Sequence, residues 1–218
     1  MILLSYWGVT TSASRKGKNM KTVMPLPLEL TKPVALASDL DTLLTTSLDV
    51  ENIKYNPEAI HVLKDTKTNT VVGGISVSPI KPNVLEKLIR LEIDEPQIKP
   101  EDFLQYTTDT PLDCYIIDFV VRPGLFATYY SRKLLQVTLN YFIELLNRGV
   151  IIRRIYTSAI TKDGERLVKG LHFTLLHSDW TRAYEDFRHS YVLDLENTES
   201  KSRLVKRYLK QRRNLERR

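Results

Sequence analysis

The sequence predicts an α/β fold of the α+β type, in which helices flank a mixed, mostly antiparallel central sheet. Two observations carry this prediction. A long amphipathic helical pattern at 129–148 lies between two strand-like runs, 112–121 and 150–159, and strands joined by such a crossover helix are parallel neighbours in one sheet. Two further strand-like runs, 59–63 and 70–77, flank a polar turn, which is typical of an antiparallel hairpin.

The elements before the central strand have separate local signals. Ser38 is a good helix N-cap, and leucines at helical spacing predict a helix that ends near Leu48. The adjacent glycines at 73–74 lie inside a strand-like run, which indicates a bulge or the close approach of another backbone. Apolar spacing predicts a helix over 83–92, and proline followed by acids indicates that a short helix begins at Pro100.

The second half of the chain alternates strands and helices. The run Leu112–Val121 is nearly continuously apolar, as expected for a central strand that is buried on both faces. A short helix is predicted over 162–170, strands over 173–176 and 191–195, and a basic helix over about 200–215.

Composition bounds the class of protein. The 218 residues are 42% hydrophobic and 27% charged, which is ordinary for a globular chain. No run of 18 apolar residues exists, so the sequence predicts no membrane span. The first basic cluster follows the apolar N-terminus instead of preceding it, which is the wrong order for a secretory signal and predicts a cytoplasmic location. The single cysteine, Cys114, reads as a core residue, and the scattered histidines predict no metal site.

Charge and proline content suggest three segments. We expect a flexible leader at 1–20, one folded domain at 21–198, and a basic C-terminal helix or tail at 199–218. The net charge is +6, yet residues 201–218 hold nine Lys or Arg against one acid, so the remaining chain is close to neutral. This segment is either a solvated helix or a contact for nucleic acid, an acidic partner or a membrane surface.

Three stretches together give the chain a resemblance to a known family. Residues Ile117–Pro123 form a strand that runs into a V-x-P break, Ser131–Leu146 form a helix after a loop, and Thr161–Phe173 end in Leu-His-Phe. In this order and spacing they resemble the GNAT superfamily of acyl-CoA N-acyltransferases. The resemblance covers roughly residues 36–195, including a closing strand at 191–195.

The resemblance implies a site for acetyl-CoA or another acyl-CoA as co-substrate, an amine acceptor of unknown identity, and no metal. The family's central strand splays from its neighbour and binds pantetheine, and the amides at the start of the next helix bind the diphosphate. Thr161 stands where the family has an asparagine. Carried onto this sequence, the implied cofactor-binding residues are Val120, Val121, Tyr130, Ser131, Arg132 and Thr161.

The resemblance also implies a proton donor for the leaving thiolate, which is a tyrosine in many members. Val168 stands at that position here and has no proton to give. Tyr156 and Tyr184 are the candidates to replace it.

For the general base, Asp118 on the central strand is the first candidate, with a paired structural acid as the alternative interpretation. Glu92 and Asp94 are weaker candidates before that strand.

Two functions therefore remain open at this point. The first is an N-acyltransferase that moves an acyl group, such as acetyl, from acyl-CoA to an amine. The second is a catalytically silent GNAT-fold module with a binding or regulatory role, in contact with nucleic acid through its basic tail. Val168 favours the catalytically silent module. The segment 129–131 favours it as well, because it reads Tyr-Tyr-Ser where the family has Gly-x-Gly.

Overall fold

The computed structural model describes residues 28–31, 56–68, 70–180 and 187–217. The helix expected at 38–48, the leader expected at 1–20 and the catalytic candidate Tyr184 lie outside the described residues. The strands are β1 (Leu28–Thr31), β2 (Ile60–Asp65), β3 (Thr70–Pro79), β4 (Leu112–Val121), β5 (Ile152–Ala159), β6 (Thr174–Trp180) and β7 (Phe187–Asp194).

These seven strands form one sheet in the order β1-β2-β3-β4-β5-β7-β6. Strands β4 and β5 run parallel, and every other neighbouring pair is antiparallel. The mixed, mostly antiparallel sheet and its single parallel unit confirm the predicted fold class.

The helices in the described ranges are α1 (Pro82–Ile89), α2 (Ala127–Asn147), α3 (Lys162–Gly170) and α4 (Arg203–Glu216). Short 3₁₀ turns follow α1 at Glu95–Gln97 and Pro100–Asp102. Helix α2 begins two residues before the predicted start at residue 129, because Ala127 is buried against the core and is already part of the helix.

The two faces of the sheet are covered differently. The largest apolar cluster joins the sheet to α2, α3 and α4 through side chains such as Phe142, Val168 and Tyr208; we call this side the α2 face. On the other side, which we call the α1 face, α1 and the segment after it pack on Tyr115 and Ile117 of β4.

The two glycines of β3 mark a close approach, as the sequence predicted. The pairing of β2 with β3 shifts register between Leu63 and Lys64, opposite Gly73. A Cβ atom on Gly73 would lie 3.1 Å from the carbonyl oxygen of Val120 and 3.2 Å from a methyl carbon of Val121. The missing side chain therefore lets β3 lie tightly against the end of β4.

The last two strands are longer than predicted. The sequence indicated strands at 173–176 and 191–195, with Trp180 in a polar connection, whereas β6 continues to Trp180 and β7 begins at Phe187. Cross-strand pairing continues as far as Trp180 and Phe187. Residues 174–179 of β6 are exposed, so no buried alternation marks the strand in the sequence.

Within the described ranges, none of the helices combines the length and the apolar character that a bilayer crossing requires.

Candidate functional site

The parallel pair β4–β5 separates halfway along its length. Registered pairs run from Leu112–Ile152 to Ile116–Thr157, and the Thr157 hydroxyl donates to the Ile116 carbonyl across 3.3 Å at the last pair. Beyond it, β4 pairs with β3 and β5 pairs with β7. The described residues therefore leave a wedge-shaped gap between the carboxyl ends of β4 and β5.

Backbone direction decides which groups point into this gap. The Arg122 N–H donates to the Val72 carbonyl of β3. Because N–H and C=O groups alternate in direction along a strand, the main-chain groups of Val121 and Phe119 point away from β3, toward the gap. The Val120 carbonyl lies beside Gly73 of β3 instead, so of the two predicted valines only Val121 offers its backbone to the gap.

The amino terminus of α2 lies directly after β4. Its N-cap residue, Phe126, provides no side-chain hydrogen bond, and the first turn holds no acid. The preceding loop turns at Gly124, whose φ of +123° favours glycine. The Ala127 N–H already donates to the Gly124 carbonyl across 3.1 Å. Because the first N–H groups of a helix have no intrahelical acceptor, the rest of the first turn still offers hydrogen-bond donors and a positive partial charge to an anion.

The structure places the predicted diphosphate residues inside the first turns of α2. The Tyr130 ring is buried in the core and its N–H donates to Phe126. The Ser131 hydroxyl donates to the Ala127 carbonyl within the helix. Arg132 is exposed and remains able to reach an anion at the helix end. Since the Tyr130 ring turns inward, it does not cover the amides of the helix start.

Helix α3 begins on the other side of the gap, after β5. The predicted residue Thr161 is its N-cap, and its hydroxyl oxygen accepts a hydrogen bond of 3.0 Å from the Gly164 N–H. Asp163 and Glu165 add two acids to the first turn. This helix end is therefore capped and faced with negative charge by its own side chains.

Asp118 lies in the part of β4 that borders the gap, and it is 3% exposed. It pairs with Ser76 of β3, and a register shift leaves Ile117 unpaired between Ile116 and Asp118. Alternation counted back from Val120 therefore puts Asp118 on the α1 face, on the same side as its neighbour Ile117. Among the described residues the buried Ser76 hydroxyl has no hydrogen-bond partner. This unsatisfied hydroxyl beside Asp118 is suited to a hydrogen-bonding ligand.

A second polar group, which the sequence did not reveal, lies on the α2 face. Tyr191 of β7 pairs with Thr157, where the β4–β5 pairing ends. Its hydroxyl donates to a carboxylate oxygen of Glu165 across 3.4 Å, and His189 Nδ1 lies 3.4 Å from that hydroxyl. Burial, and then the Glu165 charge, raise the pKa of Tyr191 to about 12.

This second group contacts helix α3 close to Val168, the residue that stands at the family's tyrosine position. Val168 is buried on α3, and Glu165 precedes it by three residues, so the two lie on one helix face. The Tyr191 hydroxyl therefore contacts a residue that lies one helical turn before Val168. The Tyr191 signal in the sequence was only a strand pattern, which carries no information about its helix partner.

The candidate Tyr156 lies elsewhere. It belongs to the apolar cluster of the α1 face, before the point where the strands separate. The nearby Tyr156 side chain is the main reason that the pKa of Arg154 is raised. The weaker base candidates lie in the segment after α1, where Glu92 is near Arg90 and Asp94 is paired with Arg188.

A buried polar network joins that segment to both separating strands. Tyr115 of β4 donates to Glu95 across 2.6 Å, and its hydroxyl lies 2.7 Å from that of Ser158 on β5. Arg188 of β7 reaches Glu95 across 3.4 Å and the Ile93 carbonyl across 3.0 Å. Ser158 is the first β5 residue after the last β4–β5 pair, so the network fixes the two strands where they diverge.

Two other chemistries have no support in the described part of the chain. No group of three or more His, Cys, Asp or Glu side chains there is arranged to hold a metal ion. Cys114 is fully buried, and burial raises the pKa of its thiol, which confirms the prediction of a core residue.

A cavity of about 210 Å³ lies at the far end of α2 from Phe126. Tyr141 and Arg148 each donate to Glu58 across 2.9 Å, so its charged groups already satisfy one another. Its lining residues are Asn56, Pro57, Glu58, Gln105, Tyr106 and Arg148.

Solved structures share this architecture. FeeM, an N-acyl amino acid synthase from uncultured soil microbes, matches 84% of this chain and 98% of its own, with a TM-score of 0.51 and 11% identity. An agmatine N-acetyltransferase matches 77% of this chain and 100% of its own, with a TM-score of 0.50 and 12% identity. No protein-family model and no curated protein matches the sequence. The chain therefore has the GNAT fold, in a divergent form.

Proposed function

We propose that this protein is an N-acyltransferase that moves an acyl group from acyl-CoA to an amine. The observation that carries the proposal is the end of the β4–β5 pairing at Ile116 and Thr157, directly beside a helix that starts without a side-chain cap. A gap bordered by main-chain groups suits the amides of pantetheine, and an open helix start suits a diphosphate. The two features occur together on one fold.

The donor side of the site uses mainly backbone. Phe119 and Val121 offer main-chain groups to the pantetheine arm, and the first-turn amides of α2 face the diphosphate. Exposed Arg122 and Arg132 add positive charge on either side of the helix start. Backbone recognition does not require the glycines that the family has at 129–131, because the Tyr130 ring lies in the core.

The acceptor side uses the α1 face. An amine acceptor is protonated at neutral pH, and the buried Asp118 carboxylate is suited to bind it and to accept one proton. The unsatisfied Ser76 hydroxyl provides a second hydrogen-bonding group on the same face. Burial strengthens such a contact, because the local dielectric is low.

The reaction then forms a C–N bond between the amine nitrogen and the thioester carbonyl carbon and breaks the C–S bond. An ammonium and a thioester become an amide and a thiol, with one proton released. Asp118 removes the first proton from nitrogen. Tyr191 protonates the leaving thiolate from the α2 face, and the second proton from nitrogen replaces the Tyr191 proton through solvent.

The names of the similar structures support this chemistry. FeeM is named an N-acyl amino acid synthase and the other an agmatine N-acetyltransferase, so both names describe acylation of nitrogen. We propose acetyl as the first acyl group to test.

Calorimetric titration of the full chain with acetyl-CoA tests the donor site. We expect micromolar binding that weakens in Arg132→Glu and is unchanged in Lys99→Glu, which makes the same charge change on the exposed segment after α1. Failure to bind acetyl-CoA and longer acyl-CoA molecules contradicts the proposal.

Release of free thiol in the presence of a panel of amines tests transfer. We expect release with at least one primary amine, and Asp118→Asn should bind acetyl-CoA as the unchanged protein does while losing most of that release. Binding without release for every amine favours the alternative, a catalytically silent module, which the buried Val168 also supports.

A further inference from the structure

Helix α4 is held rigidly on the body of the protein. Val205 and Tyr208 are fully buried, and the Tyr208 hydroxyl accepts a hydrogen bond of 2.9 Å from the Ile152 N–H at the start of β5. Gln211 donates to Asn147 of α2 across 2.9 Å. The direction in which α4 presents its outer side chains is therefore fixed by packing.

The outer side of α4 carries a row of cations. At 100° per residue, their positions fall within an arc of about 120° and extend over roughly 21 Å of helix axis. We call this row the basic stripe. Its exposed members are Arg203, Lys206, Arg207, Lys210, Arg213 and Arg217.

The members of the basic stripe differ from the other arginines nearby in their ion pairing. Arg148, Arg153 and Arg154 each lie within 4 Å of a carboxylate of the body. Arg212, on the inner side of α4, pairs with both Glu196 and Glu216. Within the described ranges, the members of the basic stripe have no such acidic partner, so their charge is available to a ligand.

The surroundings of the basic stripe argue against a membrane. A helix that binds a bilayer surface inserts apolar side chains beside its basic ones. In α4 the apolar side faces the core, where Leu204 and Leu209 pack. The large apolar side chains that are exposed in the described residues, Leu125, Leu175 and Leu176, lie on other elements.

A protein partner is also disfavoured, because stable protein interfaces centre on buried apolar or aromatic anchors. The basic stripe offers six long cationic side chains and no such anchor. A row of cationic side chains is sufficient to bind a sugar–phosphate backbone, because Lys and Arg neutralise phosphates independently of the base sequence.

We propose that the basic stripe of α4 binds the sugar–phosphate backbone of nucleic acid. Tyr208 contacts the start of β5, whereas the gap opens after Thr157, about 16 Å further along the strand. The two sites lie at opposite ends of the parallel pair, so nucleic acid and acyl-CoA can be bound at once. The protein is thereby tethered to nucleic acid while its acyl-transfer site stays open.

Fluorescence anisotropy of the full chain with labelled duplex DNA and with single-stranded RNA of equal length tests this proposal. We expect binding to at least one of them, with log K falling against log salt at a slope of about −5 for six phosphate contacts on DNA. The DNA and RNA arms distinguish the two sources of the same backbone chemistry.

The double variant Lys206→Glu with Lys210→Glu should weaken binding by at least roughly 50-fold at 0.1 M salt, from the loss of two phosphate contacts. Lys67→Glu with Lys99→Glu changes the net charge equally at exposed sites outside α4 and should leave most of the affinity. Thermal melts of both variants confirm folding.

Three results would overturn the proposal. They are no binding to either nucleic acid, equal weakening by the two double variants, and binding to vesicles of anionic lipid in preference to nucleic acid. Acetyl-CoA titration in the presence of saturating DNA separates this proposal from the enzyme proposal, because we expect the same affinity for acetyl-CoA with and without DNA.

Discussion

The two helices that begin beside the gap start in opposite ways. Helix α2 begins at Ala127 with no side-chain cap and no acid in its first turn. Helix α3 begins after Thr161, which caps it, and carries Asp163 and Glu165 in its first turn. Both helices have the same backbone dipole, yet only α2 leaves its positive end open to an external anion. This difference favours α2 as the proposed diphosphate site.

The same comparison supports the proposed proton chemistry beside α3. The acids that close its amino terminus to an anion also place Glu165 within reach of Tyr191 and His189. One helix end is thus suited to binding charge and the other to holding a hydroxyl near the point where β4 and β5 separate.

The largest effect on catalysis should come from removing the Tyr191 hydroxyl. Tyr191→Phe keeps the buried ring and removes the proposed proton donor, so we expect kcat to fall by about 10²–10⁴-fold with KM for acetyl-CoA nearly unchanged. Steady-state kinetics with the best amine measures this. Tyr156→Phe, on the α1 face, is the matched control and should retain activity. A smaller loss in Tyr191→Phe than in the control would remove Tyr191 from the mechanism.

A smaller effect should follow from making the start of α2 resemble that of α3. Thr128→Glu adds an acid to the first turn of α2 at an exposed position. Repulsion between this carboxylate and the diphosphate should weaken acetyl-CoA binding about tenfold. Attraction between the carboxylate and the helix dipole should stabilise the fold by about 0.5 kcal/mol. Calorimetry and thermal melts measure both. The control is Asn140→Glu, at an exposed position about 18 Å further along the same helix, and it should change neither the affinity for acetyl-CoA nor the stability. Equal weakening of acetyl-CoA binding by both variants would disprove the proposed diphosphate site at the start of α2.

Thr161→Ala tests whether this threonine is a cap or a cofactor ligand. Loss of the hydrogen bond from the Gly164 N–H should lower the free energy of unfolding by about 1 kcal/mol and leave the affinity for acetyl-CoA unchanged. Urea denaturation and calorimetry measure the two quantities. A large loss of affinity without loss of stability would instead support the role that the family resemblance implies.

The smallest effect concerns the ion pair of α3 and its dependence on pH. Mainly through its hydrogen bond from Lys169, the pKa of Glu165 is lowered from its ordinary value of 4.5. A carboxyl whose pKa is lower when folded stabilises the fold above that ordinary value, and the contribution is lost as pH falls through the folded pKa. Glu165→Gln should therefore cost about 0.5 kcal/mol at pH 7 and less near pH 3. Denaturation at both values measures this; an equal cost at both would contradict it.

The sequence was most informative where a pattern is local. The strand Leu112–Val121 and the helix Lys162–Gly170 were predicted with the bounds that the structure has. Continuous apolar character marks the first, and the structure shows that the second is capped by Thr161. The parallel relation of β4 and β5 followed from the crossover helix between them.

Long-range polar contacts were not predictable in this way. The hydrogen-bonded residues Glu95 and Arg188 are 93 positions apart in the sequence. Tyr191 and Glu165, which are also hydrogen-bonded, are 26 positions apart. No periodicity records such pairs, because they depend on which elements pack face to face. The edge strand β6 was underestimated for a related reason, since exposure on both faces leaves no alternation.

Hydrogen–deuterium exchange with and without saturating acetyl-CoA tests the central claim most directly, because it reports on the amides of both helix starts in one experiment. We predict slower exchange in peptides that cover 119–130, where the gap and the start of α2 lie, and little change in peptides that cover 162–170. Protection of 162–170 without protection of 119–130 would contradict the assignment of the diphosphate to α2.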